Sequence, residues 1–365
     1  MTDFAFDAVL FDLDGTLVAT ERYWPDAART ATLRFFAERG IERAVPSTAE
    51  WMAMVGLPAA ESFDRAFADL EPTVRAELLD ACMDEEHRLL ARGHAALLGG
   101  VEETLDDLKG RGVKLGIASN CGADYLELML RDVGLSRWID EGRCLASRGI
   151  ASKSDMVEDL LVTFGTRSAV MVGDRRGDRD AAWANALPHV HIPRGYGGAH
   201  EPVEAEAILD GMDQLVPTLE GRDAVLRDVL DRVGDARIVA VSGPPLAGKT
   251  LLARDLARLA RAAGRRADAV EGTPDAIAAA DDALEVLFVA GEALERDALA
   301  SYCDAFVRVI ADEEALVRRA QGQRRGPGPV EELLDVQLPR YRENAGADRD
   351  ALVVDATNPI DLRLR

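Results

Sequence analysis

The chain has 365 residues, with 43 lysines and arginines against 65 aspartates and glutamates, a formal net charge of −22 and a sequence pI of about 4.7. This acid surplus argues against a partner held by long phosphate-backbone contacts, which need a basic face, but not against a small phosphorylated substrate met by local cations or a metal. With 48% hydrophobic and 30% charged residues, the chain is expected to be ordered and to form two or three domains.

Residues 7–13 (DAVLFDL) predict a short buried strand ending at Asp14-Gly15. Residues 25–39, 48–56, 59–70 and 73–92 then carry apolar side chains at three- and four-residue intervals, broken by Gly40, Pro46, Pro58, Pro72 and Gly93. A helical insert is therefore expected after the first strand. From residue 101 the pattern becomes helix 101–110, strand 113–119, helices 123–133 and 152–164, and strand 169–174. Continuous apolar strands among helices predict a parallel sheet covered on both faces.

The segment 211–235 is expected to be helical, without a Gly/Ser or Pro-rich tether. A second alternation follows: strand 237–242, helix 249–263, and strands 267–271, 285–290, 305–310 and 351–355. The expected organisation is an α/β core over 1–18 and 96–220, an all-helical cap over 19–95, a helical link over 221–236, and a second α/β domain over 237–365. Residues 1–220 hold 22 basic and 39 acidic residues, and residues 221–365 hold 21 and 26, so the two halves differ in charge character.

Cys82, Cys121, Cys144 and Cys303 lie far apart with no metal-ligand spacing, so they read as isolated thiols in a reducing compartment. With no leader-like N-terminus and no long apolar run, the protein is expected to be soluble and cytoplasmic, without a membrane or nucleic-acid partner. Only four lysines occur, Lys109, Lys114, Lys153 and Lys249; every other basic residue is arginine.

Asp12 and Asp14 stand two apart at the end of the first strand, where both carboxylates can face one site. Such a pair repels and favours a shared divalent cation, most simply Mg²⁺. Ser119-Asn120, Lys153, Asp174 and Asp178 also fall at or just beyond predicted strand ends, where open α/β sheets bind ligands. Asp178 has a plainer alternative as a partner for Arg175 or Arg176, and Asn120 as a helix N-cap.

DLDGT at 12–16, SN at 119–120, Lys153 and GDRRGD at 173–178 resemble, in order and spacing, the four motifs of haloacid dehalogenase superfamily phosphatases. The resemblance covers residues 5–215, is strongest to the group containing phosphoglycolate phosphatase and β-phosphoglucomutase, and implies a Rossmann-like core with a helical cap. It implies that Asp12 attacks phosphorus, that Asp14 serves as general acid and base, and that Ser119 and Lys153 hold the phosphoryl oxygens. Thr16 and Asn120 would bind phosphate or substrate. Mg²⁺ would be held by Asp12, Asp14 through its carbonyl, and Asp174, with Asp178 orienting Lys153 or metal-bound water. Relatives often carry a cap cation after a glycine such as Gly56; here the stretch is Gly56-Leu57-Pro58-Ala59-Ala60, leaving Arg22, Arg29 or Arg65 as candidates. Trp24, Trp51 and Phe63 are expected in the cap core, with Trp24 near enough to the hinge to face substrate. The five histidines are expected to be surface or packing residues.

Residues 243–250 read GPPLAGKT, matching GxxxxGK[ST] between a predicted strand and helix. Gly243 and Gly248 let backbone amides wrap a phosphate, Lys249 reaches outer phosphates, and Thr250 can ligate Mg²⁺, which predicts ATP or GTP as ligand. From 237 onward the chain resembles uridine kinase and phosphoribulokinase-like P-loop kinases, which implies that Arg318, Arg319, Arg324 and Arg325 in a lid contact nucleotide phosphates. The strand 285–290 lacks the expected acidic residue; Glu271 is a candidate acceptor base and Glu292 a candidate metal ligand. The reading is a phosphatase of a small phosphorylated metabolite fused to a nucleotide-binding domain, with a working small-molecule kinase or a nucleotide-regulated phosphatase as alternatives. The same domain order occurs in polynucleotide end-healing enzymes, but a large cap and an acidic surface oppose that reading.

Overall fold

The computed structural model describes residues 4, 6–193, 196, 201–280, 283–291, 301–322, 328–344 and 351–365. Glu292, Arg324 and Arg325 lie outside the described residues.

The first sheet contains β1 (Ala8–Phe11), β2 (Lys114–Ser119), β3 (Glu141–Cys144), β4 (Ala169–Gly173), β5 (His189–His191) and β6 (Ala207–Ile208). Its order is β3-β2-β1-β4-β5-β6, and all pairings are parallel. Every residue of β1 and β4 is buried, as expected for apolar runs covered on both faces. Side-chain alternation divides β1 between two cores: Val9 and Phe11 join the one continuous with the insert, and Ala8 and Leu10 join the one formed with α7 (Lys153–Phe164) and α8 (Arg176–Ala184). With β1 at the centre, chain direction brings the ends of β1, β2 and β4 to one edge.

The insert comprises α1 (Trp24–Arg39), α2 (Thr48–Met54), α3 (Ala59–Ala66) and α4 (Pro72–Leu90). Ser47 and Glu50 form a reciprocal capping box that starts α2. Trp24 meets Trp51 edge-on at 6.0 Å, and Phe63 lies 5.3 Å from Phe67, so aromatic packing holds the insert together. Its two crossings into the core are joined by an antiparallel bridge between Val18 and Leu97. The core resumes with α5 (Val101–Gly110), and α6 (Ala123–Arg131) follows β2.

The link between the halves differs from the separate segment expected at 221–236. A single helix, α9 (Leu215–Val233), places Leu215, Val216 and Leu219 in the first core and Leu226, Val229 and Val233 in the second. It is shared structure because its apolar stripe is continuous across both cores. Buried charges fasten it to α10 (Lys249–Ala262): Arg222 pairs with Asp255 at 2.6 Å, and Arg258 with Asp223 at 3.1 Å. Removing one partner strands a buried charge, so Asp255→Ala is expected to lower unfolding stability by about 3–5 kcal/mol. A denaturant midpoint equal to wild type would show that these pairs do not hold the halves together.

The second sheet contains β7 (Ile238–Ser242), β8 (Ala267–Glu271), β9 (Val286–Ala290), β10 (Ala305–Ile310), β11 (Leu352–Asp355) and β12 (Arg363–Leu364). Its order is β12-β11-β10-β7-β9-β8; only the β11–β12 pairing is antiparallel. Among the described residues, further α-helices are α11 (Pro274–Ala278), α12 (Glu313–Gly322), α13 (Gly328–Glu332) and α14 (Leu338–Asn344), with a π-helical turn at Leu333–Gln337. The chain leaves β7 to one side for β8 and β9 and later returns to its other side as β10. The 243–248 loop therefore stands at a topological switch point. Among the described residues, no helix is long and apolar enough to cross a membrane.

Candidate active site

At the end of β1 the backbone of Asp12 is fixed by its N–H bond to the Val172 carbonyl at 2.9 Å. Asp12, Asp174 and Asp178 are all buried, with one oxygen from each within 4.8 Å of the others. Lys153, the first residue of α7, places its ammonium 2.6 Å from both Asp12 and Asp178. A cation at a helix N-terminus opposes the helix dipole, and the two carboxylates offset that cost. Asp178 sits in the first turn of α8, where its other oxygen accepts the Arg175 N–H at 2.9 Å. Its approach needs Gly173, since a β-carbon there would lie 2.3 Å from the Asp178 carboxyl.

Among the described residues, three buried carboxylates face one ammonium, which leaves an excess of negative charge. Burial raises the Asp12 carboxyl, with Lys153 opposing and Asp178 adding to the rise. Burial likewise raises Asp174, reinforced by Asp12 and Asp178. Burial alone would depress the Lys153 ammonium, but Asp12 and Asp178 more than reverse this and hold it above its ordinary range. Asp12 Oδ2 and Asp174 Oδ1 are buried without a hydrogen-bond partner among the described residues. This donor set fits a hard divalent cation.

Asp14 is brought close but not into that cluster. Its carboxylate accepts the Thr20 hydroxyl at 2.6 Å and the Tyr125 hydroxyl at 2.5 Å, and the Tyr125 oxygen lies 2.5 Å from that of Tyr23. Burial lifts the Asp14 carboxyl above its usual range, while these two hydrogen bonds pull it back. Asp14 opens onto a cavity of about 90 Å³ between core and insert, shared with Ser119, Asn120, Trp24 and Glu86. Glu86, on α4, is buried and its carboxyl is pushed up by burial and by Asp14. Among the described residues no basic side chain lines this cavity, and Arg22, Arg29 and Arg65, the candidate cations, are exposed. Thr16 is buried, with its hydroxyl oxygen unpartnered among the described residues.

Asn120 is not a helix N-cap, since α6 begins after Gly122. Its Nδ2 donates to the Gly56 carbonyl at 3.0 Å. Arg175 reaches the same loop, donating to the carbonyls of Val55 at 2.6 Å and Ala53 at 3.3 Å. Its guanidinium is engaged by these two carbonyls and by the Glu201 carboxylate at 2.8 Å rather than by Asp178. Asn120 and Arg175 thus clasp the cap over the site. The roles of Thr20, Tyr23, Glu86, Tyr125 and Arg175 escaped the sequence reading; only the run of cap aromatics hinted at a packed lid.

In the second half, residues 243–248 join β7 to α10 as expected from GPPLAGKT. Gly243 is required there, with φ 152° and a would-be β-carbon 2.2 Å from the Val309 carbonyl oxygen. Lys249 donates to the Pro244 carbonyl at 2.7 Å, and the Thr250 hydroxyl to Glu271 at 3.1 Å. The carboxylate beside Thr250 thus comes from the end of β8. Arg319 donates to the carbonyls of Leu246, Ala356 and Thr357, bracing the loop, and the Arg318 guanidinium lies 5.7 Å from the ring centre of Trp183 in the first half.

Residues 9–190 match the family of haloacid dehalogenase-like hydrolases. Phosphoglycolate phosphatases from Salmonella typhimurium and Escherichia coli K12 are 24% and 22% identical over 238 residues, covering 58% of this chain and 91% of theirs. Among solved structures, a predicted phosphoglycolate phosphatase from Haemophilus somnus aligns with TM-score 0.53 and 21% identity, covering 60% of this chain and 98% of that one. A predicted phosphatase from Clostridium acetobutylicum aligns with TM-score 0.50 and 23% identity, covering 59% and 98%.

Proposed function

We propose that residues 9–190, which match the family of haloacid dehalogenase-like hydrolases, form a phosphoric monoester hydrolase that passes the phosphoryl group of a small phosphomonoester to Asp12 and then to water. The observation that carries this reading is the separation of two neighbouring carboxylates. Asp12 is in the buried cluster with Lys153, and Asp14 faces the cap cavity within a hydroxyl network. Asp12 attacks phosphorus as the bond to the leaving oxygen breaks, and Asp14 gives that oxygen its proton. A water then attacks the aspartyl phosphate, Asp14 takes its proton, and inorganic phosphate leaves with Asp12 restored. Lys153 and Ser119 bind phosphoryl oxygens, with Thr16 beside them. Mg²⁺ would be held by Asp12, Asp174 and the Asp14 carbonyl, with Asp178 beside it, and would supply neutralisation of phosphoryl charge.

The cap cavity narrows the substrate class. A carboxylate on the leaving alcohol, as in phosphoglycolate, would face Glu86 and Asp14 with no cation among the described lining residues. The leaving group is therefore an uncharged, hydroxyl-bearing alcohol, as in a sugar phosphate. With Mg²⁺ present, sugar and polyol phosphates are expected to be hydrolysed at least tenfold more efficiently (kcat/KM) than phosphoglycolate, an advantage of about 1.4 kcal/mol or more. EDTA should abolish release from both. A preference for phosphoglycolate would overturn the leaving-group reading, and full activity in EDTA would overturn the metal assignment.

The 243–250 loop favours a second function, binding of ATP or GTP through its phosphates. Support comes from the loop's place at the switch point of the second sheet and from Glu271 beside Thr250, a pairing suited to a hydrated Mg²⁺. Glu271, bonded to Thr250, is placed to position that cation rather than to serve as an acceptor's base. Whether the nucleotide is a phosphoryl donor or a regulator separates the kinase from the regulatory alternative. Phosphoryl transfer to added sugars and nucleosides, lost in Lys249→Ala, would establish the former.

A further inference from the structure

A cavity of about 470 Å³ lies between the two halves, and its lining includes Gly248, Lys249 and Thr250 on one side and Trp183, Asn185 and Pro188 on the other. The second group belongs to the end of α8 and the turn into β5, within the hydrolase domain. Two buried polar atoms of the lining residues have no partner among the described residues. Asn185 spends its Nδ2 on the carbonyls of Ser154 and Ala181, leaving Oδ1 unpartnered. Arg222 spends Nε on the Pro359 carbonyl and Nη2 on Asp255, leaving Nη1 unpartnered. Asn185 is 7% exposed and Arg222 2%. Burying such groups without partners costs free energy that a ligand would recover.

We propose that this cavity is a composite nucleotide site, in which the 243–250 loop holds the phosphates of a nucleoside triphosphate and the hydrolase domain supplies the wall that reads its base and sugar. This rests on the phosphate-binding reading of that loop. A ligand with phosphate against Lys249 and Thr250 has room to extend toward α8. There the Asn185 carbonyl oxygen accepts from an amino or ring N–H of a base, Arg222 Nη1 donates to a ring nitrogen or carbonyl, and Leu246, Leu187 and Pro188 give apolar contact. Beside Leu187 and Pro188, one acceptor and one donor suit a base edge, and Arg318 and Arg254 elsewhere in the lining leave cationic wall for the phosphate end.

The test compares ATP, GTP and inorganic tripolyphosphate, each with Mg²⁺, by calorimetry on the full chain. ATP or GTP should bind at least tenfold more tightly than tripolyphosphate, and Lys249→Ala should weaken all three. Asn185→Ala should reduce the nucleotide's advantage. Ala186→Phe, which fills the cavity from an exposed position on its rim, should abolish that advantage while leaving tripolyphosphate affinity within about twofold. If tripolyphosphate binds as tightly as ATP and GTP, or if Ala186→Phe leaves the advantage intact, the composite site is wrong while the phosphate-loop reading stands. If none of the three binds the wild-type chain, both readings fail.

Discussion

An Asp12→Asn variant is expected to fold and to release phosphate from its best substrate at least roughly 10³-fold more slowly than wild type. The change is nearly isosteric, and it removes one negative charge from three buried carboxylates faced by a single ammonium. Folding should therefore be unharmed, and without added metal the variant should be at least as resistant to heat as wild type. The loss falls on chemistry, because an amide oxygen is a far poorer nucleophile than a carboxylate. Two measurements separate the possibilities: a thermal melt reports the fold, and phosphate release under substrate saturation reports kcat. A melt like wild type with unchanged kcat would remove Asp12 from the nucleophile's role. A collapsed melt would instead make Asp12 a structural residue.

The strand-end carboxylates were legible in the sequence because their geometry is local. Asp12 and Asp14 are two residues apart on one extended segment, and Lys153 and Asp178 sit in first helical turns next to β3 and β4. The hydroxyl network around Asp14 was not, since Tyr125 lies 111 positions away and meets Asp14 only after α6 docks against the cap. Glu86 illustrates the same limit: on α4 it reads as one of several acids on an amphipathic helix, and only cap closure buries it beside Asp14. Arg175 stood, with Arg176, as the plainer alternative partner for Asp178, yet a long side chain seeks acceptors wherever the fold offers them, and here these are cap-loop carbonyls and the Glu201 carboxylate. The residues 221–236 carried no tether signal, which correctly pointed to helix, but which cores that helix enters depends on long-range packing that periodicity alone does not reveal.

Lys153 separates charge from shape at the site, and two substitutions are expected to show it. Lys153→Met removes the ammonium that, among the described residues, bonds both Asp12 and Asp178, leaving buried carboxylates to repel one another. Stability should fall by about 3–5 kcal/mol in metal-free buffer, and activity should be lost. Because the remaining carboxylates then attract a divalent cation more strongly, Mg²⁺ should raise the melting temperature of this variant more than that of wild type, a response independent of turnover. Lys153→Arg keeps the charge but substitutes a wide planar fork for a compact group within 2.6 Å of two carboxylates, in a pocket where the residue is only 7% exposed. It should retain more stability than Lys153→Met, yet lose roughly 10²-fold in kcat, since the guanidinium displaces the phosphoryl oxygens that a single ammonium admits. Equal activity of the Arg variant and wild type would mean that charge alone suffices. In a chain that otherwise uses arginine almost throughout, lysine at this position would then have no chemical explanation.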